Sequence, residues 1–249
     1  MEEYKFNPEY SKMIVDAIVN GYHEYIDHRK DRKEKMKISS AFAWTKGNFI
    51  ESKIAEECIQ HGFTYKKSRA GLTWDYLQFI HGETKILFLI KNAAYFNKDC
   101  FSLAKIPTET MTNKTRTYLH ELSKINNGLK FPAVKQYVSN QQIIEQMEIP
   151  FFVSSKYADE ELKPFRSYKQ FHILTYKLDE AYQIAEIIHY LPNPDDNIAY
   201  VVEDLSYLIA GAELTDDERE IIAPEGYEDI LEPAAYDIGI QEEEDHRYK

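Results

Sequence analysis

An α/β fold, leaning towards α+β, with a mixed and mostly antiparallel sheet flanked by helices, is predicted by three features of this 249-residue chain. These are a capped amphipathic helix near the start, a helix followed by three closely spaced strands between residues 48 and 92, and an alternating segment from residue 170. At this length the chain forms one large domain, and 43% hydrophobic content with 19 Tyr and 13 Phe supplies a sizeable core.

Asn7-Pro8 opens the first helix, with Asn as N-cap and Pro at the first helical position. Tyr10, Met13, Ile14, Ala17, Ile18, Tyr22 and Tyr25 follow at helical spacing, and the basic run His28 to Lys37 suits the helix C-terminus. A second helix is expected from Asn48 to about Gln60, stopped by Gly62. Phe63 to Lys67 reads as a short strand, Ser68 to Gly71 as a turn, and Leu72 to Ile80 as a second strand. After a turn at His81-Gly82-Glu83, the run Lys85 to Lys91 predicts a strand buried on both faces.

The middle of the chain is read as helical, with one stripe through Tyr118, Leu119, Leu122 and Ile125 and another over Gln141 to Met147. A short strand is expected at Phe151 to Val153 and a longer one at Gln170 to Leu178. Ile184 to Leu191 is read as its antiparallel partner, closed by Pro192 and Pro194. Thr215 and Glu218 have capping-box spacing for a short helix within a C-terminal tail. The expected organisation is a globular domain over residues 1–212 and an acidic tail over 213–249.

Charge supports that division. Residues 213–249 hold 14 acidic and 3 basic residues, a charge of −11, which leaves −1 of the total −12 for the body. Such a tail beside basic patches keeps nucleic acid away, folds back on those patches or simply solvates the protein. The opening MEEYKFNPEY has no signal-peptide pattern and no apolar run is long enough to span a bilayer, so the expectation is a cytoplasmic protein without a membrane partner. Cys58 and Cys100 have no disulfide or zinc spacing and are expected to be reduced. The Lys-, Asn-, Ile- and Tyr-rich composition is compatible with a bacterial or phage genome.

Familiar chemical motifs are missing. His120-Glu121 has Lys124 where HExxH needs its second His, no GxxxxGK[ST] or GxGxxG occurs, and Ser39-Ser40 lacks a nucleophile elbow. His172 and His189, in expected strands, are read as packed or hydrogen-bonded structural residues. One constellation stands out: an acid on a helix, Glu51; an acid on a strand, Asp75; and a lysine ending the next strand, Lys91.

That order resembles the core of PD-(D/E)xK (restriction-endonuclease-like) nucleases over about residues 48–92. The resemblance implies Glu51, Asp75 and Lys91 as catalytic residues, Glu51 and Asp75 as ligands of Mg2+, and the lysine as the group that positions the nucleophile. Leu89 stands where the pattern requires an acid, and leucine offers no oxygen to a hard cation. Either Glu56 or Glu57 substitutes or catalysis is lost. Asn48-Phe-Ile-Glu51 also has capping-box spacing, by which Glu51 would merely close a helical turn.

Three functions therefore stay open. The leading one, which favours binding over catalysis, is a catalytically degenerate nuclease-like protein that binds nucleic acid or a nucleic-acid-handling protein. Arg29, Lys30, Arg32, Lys33, Lys66, Lys67 and Arg69 would supply the phosphate contacts. The second is an Mg2+-dependent nuclease with a displaced carboxylate. The third is a non-enzymatic bacterial or phage regulator or inhibitor that binds a protein through its acidic tail.

Overall fold

The computed structural model describes residues 1–70, 74–102, 117–132 and 168–223. Helix α1 (Pro8–Lys35) begins as expected: the Asn7 side chain accepts from the Glu9 amide at 2.9 Å, and Pro8 occupies the first turn. At roughly 1.5 Å per residue it is about 42 Å long. Ile14, Val15, Ile18, Tyr22 and Ile26 bury one face, each aliphatic chain worth roughly 1.5–3 kcal/mol. A 3-10 segment (Ser40–Thr45) leads into α2 (Lys46–Cys58), which buries Ile50, Ile54 and Cys58. The two helices touch at Gly21, where a Cβ would come within 2.8 Å of the Ile50 Cα, so only glycine permits this approach. Gly62, at φ +81°, turns the chain into the sheet.

Among the described residues the sheet has six strands in sequential order: β1 (Phe63–Ala70), β2 (Trp74–His81), β3 (Ile86–Asn92), β4 (Gln170–Leu178), β5 (Ile184–Pro192) and β6 (Ala199–Asp204). All neighbours are antiparallel except β3 and β4, which run parallel from Ile86↔Gln170 to Asn92↔Tyr176. The sheet is thus mixed and mostly antiparallel, as expected. Ser68, Arg69 and Ala70 extend β1 instead of forming a turn, because they pair with Tyr76, Asp75 and Trp74. Strand β6 has no counterpart among the sequence expectations: Ala199 to Asp204 is short and carries little apolar alternation, and its pairing with β5 makes it a strand.

Helices cover both faces. On one, α1 and α2 enclose Phe79, Phe88, Ile90, Leu174 and Ile187. On the other, α3 (Thr117–Ser123) and the 3-10 turn after it bring Leu119 and Leu122 onto Leu87, Leu89, Phe171 and Ile173. Helix α4 (Asp216–Ile222) has the expected capping box, with Glu218 Oε2 accepting from the Thr215 amide at 2.7 Å. Leu214, 4% exposed, enters the α1/α2 cluster and Ile222 packs against it, so the first part of the acidic segment belongs to the folded body. The expected elements at Gln141 to Met147 and Phe151 to Val153 lie outside the described residues. Among the described residues no helix is long and apolar enough to cross a membrane.

Candidate functional site

Glu51 and Asp75 line one hollow of about 670 Å3 between α2 and the β1–β2 hairpin, together with Asn48, Glu56 and Lys67. Helix α2 is capped at Thr45, which places Asn48 inside the helix and removes the capping-box reading of Glu51. Instead Glu51 Oε2 accepts from the Leu77 amide at 2.8 Å. The donor lies beyond Phe79↔Phe88, the last β2–β3 pair, so the carboxylate satisfies backbone where β2 and β3 have parted. Asp75 accepts from Lys67 Nζ at 2.5 Å, with 37% and 68% of the two side chains exposed.

Lys91 is not brought to this hollow. Phe79 and Phe88 pair directly and both enter the α1/α2 cluster. Asp75, four residues before Phe79, shares their face, whereas Lys91, three after Phe88, takes the opposite one. Its Nζ sits 5.2 Å above the ring centres of both Tyr76 and Tyr118, on the α3 side of the sheet, where Leu89 is also buried. The acids and the lysine of the constellation are on opposite faces.

The side chains present do not fit an Mg2+ site. Leu89 gives no oxygen, Glu51 and Asp75 are engaged as above, and Glu56, the nearest substitute, pairs with Lys53 at 3.1 Å. Glu57 accepts from Asn20 at 3.1 Å. Among the described residues no three His, Cys, Asp or Glu side chains gather as a metal would require.

The basic residues divide in the same way. Arg29 is 7% exposed, and its Nη1 donates to the Ser39 carbonyl at 3.2 Å. Arg32 lies 5.7 Å over the Phe42 ring. Lys30 and Lys33 are exposed but face Asp217 and Glu220 of α4 across a hollow of about 310 Å3. Lys66 and Lys67 are exposed on opposite faces of β1, an edge strand whose charge also discourages strand addition. Arg69 belongs to β1 opposite Asp75.

Two polar features had no sequence signal beyond single residues. His172 and His189, both 0% exposed, form a pair: His189 Nε2 donates to His172 Nδ1 at 2.7 Å, and His172 Nε2 donates to Gln170 Oε1 at 3.0 Å. Gln170 Oε1 only accepts, which fixes both tautomers and leaves His189 Nδ1 without a hydrogen-bond partner among the described residues. Phe6 seals the pair, its ring centre 4.2 Å from that of His189. Burial holds His189 down to about 3 and His172 well below the ordinary imidazole value, so both are neutral. The second feature is a cleft of about 740 Å3 beyond the carboxyl ends of β3 and β4. Its walls come from α1, α2, the loop after β3, and β4–β5, so nothing local in the sequence could gather them.

The class the fold defines is a mixed α/β sheet with helices on both faces. Comparison with protein-family models, curated proteins and solved structures finds no match.

Proposed function

We propose that this chain is a catalytically degenerate nuclease-like protein that binds nucleic acid without cutting it. The observation that carries the reading is the sharing of one hollow by the helix acid Glu51 and the strand acid Asp75, while Leu89 and Lys91 face the other side of the sheet. In support, the order α2–β1–β2–β3–α3–β4, with β3 and β4 parallel, keeps the helix acid beside the strand acid where β2 and β3 part. Catalysis would need a third carboxylate on the metal and a lysine placed for the nucleophile, whereas Glu56 in this hollow pairs with Lys53 and Lys67 pairs with Asp75. Exposed Lys66 and Lys67 would supply phosphate contacts, Lys67 by exchanging Asp75 for phosphate, and Lys30 and Lys33 join them when the acids of α4 are displaced.

The test is a gel-shift and cleavage assay with labelled single-stranded DNA, duplex DNA and RNA, with Mg2+ or Mn2+. The intact chain is expected to bind without cutting, and affinity should fall steeply with salt. Lys66→Ala with Lys67→Ala should weaken binding, and Asp217→Lys with Glu220→Lys should strengthen it. Cleavage lost in Asp75→Ala would establish the metal-dependent nuclease instead. Absence of binding to all three polymers would refute the proposal and favour the protein-binding regulator.

A further inference from the structure

The cleft beyond the carboxyl ends of β3 and β4 lies at the one parallel pairing among the described strands, which are otherwise antiparallel. There β3 leaves into the turn Ala93–Tyr95 while β4 leaves in the same direction into its hairpin with β5, so the departing chains open a space between them. Space of this kind outside the carboxyl ends of parallel strands is where α/β sheets generally take small ligands. A volume of about 740 Å3 suits a ligand of mononucleotide size.

Its lining has a definite chemistry. Arg29 from α1, Lys46 from the start of α2, Lys98 from the loop after β3 and Lys177 from β4 bring four cations into a chain whose net charge is −12. Two of the three acids that share the lining have defined tasks. Asp179 accepts from the Ala181 and Gln183 amides at 2.9 Å each and so builds the β4–β5 turn, and Asp99 holds Lys98 at 2.9 Å. The third, Glu186, pairs with Lys177 in the strand register.

Aromatic walls complete the cleft. Tyr22 and Tyr25 stand one helical turn apart with their rings stacked at 5.9 Å. Their hydroxyls donate to the carbonyls of Tyr182 at 2.6 Å and Ala43 at 3.3 Å, which fixes α1 against the β4–β5 turn and the segment before α2. Tyr95 and Tyr190 line it from the β3 exit and from β5, and all four tyrosines are largely buried, so that a base would meet only their edges at the cleft wall.

We propose that this cleft binds a nucleoside phosphate, its phosphates held by the cations and its base against the tyrosines. Guanidinium and ammonium groups supply charge-assisted hydrogen bonds to phosphate oxygens, and tyrosine rings accept any planar base. The site is separate from the Glu51–Asp75 hollow and from the β1 edge, so it stands whether or not the protein binds nucleic acid.

Calorimetric titration of the intact chain with ATP, ADP, AMP, adenosine and inorganic phosphate tests it. Saturable binding of the nucleotides is expected, with adenosine and inorganic phosphate each at least about tenfold weaker, because each offers half of the recognised chemistry. Lys46→Ala and Lys177→Ala, checked for an unchanged circular dichroism spectrum, should each weaken nucleotide binding about tenfold, the loss of one charge-assisted contact. Lys66→Ala with Lys67→Ala should leave it unchanged. No saturable binding at millimolar nucleotide, or equal affinity in the Lys46→Ala and Lys177→Ala variants, would overturn the proposal. Inorganic phosphate binding as tightly as ATP would overturn the nucleoside part.

Discussion

Two polar clusters among the described residues have opposite character, the sealed His172–His189 pair between β4 and β5 and the open Glu51–Asp75 hollow beside α2. Burial holds both imidazoles of the pair well below their ordinary value, His189 at about 3, yet Phe6 covers it and no solvent reaches either ring. The hollow has two carboxylates, one holding a strand amide and one an exposed lysine, and it opens to solvent. In the histidine pair the perturbed titration marks burial, while access marks the place where a ligand could arrive. Energetically the two differ as well: a buried polar group costs its full desolvation when its partner is lost, and an exposed one is rescued by water.

The largest expected effect sharpens that contrast through pH. The folded-state value of His189 is depressed to about 3, while the unfolded imidazole keeps its ordinary value near 6.5. Below that ordinary value the unfolded chain takes up a proton that the native pair refuses, so stability is full above about pH 6.5 and is lost as pH falls towards 3. The contribution is on the order of 4 kcal/mol across that window. Urea unfolding of the wild type and of His189→Gln at stepped pH measures it, the variant being expected to show the shallower slope. Equal slopes would mean that the pair is not sealed.

Next comes Glu51→Ala, which strands the Leu77 amide beside the parted strands and should cost about 1–2 kcal/mol by denaturant midpoint. A change near zero would show that water replaces the carboxylate and that the hollow is more open than the geometry gives. Smallest is Asp75→Asn, which breaks an exposed ion pair and should shift stability by about 0.2–1 kcal/mol, less in high salt. A larger loss would place Asp75 with the sealed cluster instead of the open one.

The candidate acids were legible because a helix followed by a strand is a local pattern: apolar spacing along Ile50, Ile54 and Cys58 located α2, and alternation located β2. Lys91 was legible as a strand end but not as a member of a face. Whether it joins Asp75 depends on the β2–β3 register, and pairing Phe79 with Phe88 puts the two residues on opposite sides. A slip of one residue would have reversed the answer, since side chains alternate with period two. Each histidine alone has the pattern of a structural residue, and their hydrogen bond to one another arises only once β4 and β5 are aligned.

By itself the sequence determined what neighbouring residues decide: the Asn7-Pro8 start of α1, the Thr215–Glu218 capping box, the doubly buried β3 and the mixed α/β class. Each depends on hydrogen bonds and burial within a few residues, so the pattern carries its own cause. The tertiary structure decided the strand β6, the close passage of α1 over α2 at Gly21, the split of Glu51 and Asp75 from Lys91, and the cleft at the parallel pair. Those arise from register and packing between segments far apart in the chain, and a single sequence does not encode that alignment in any local period.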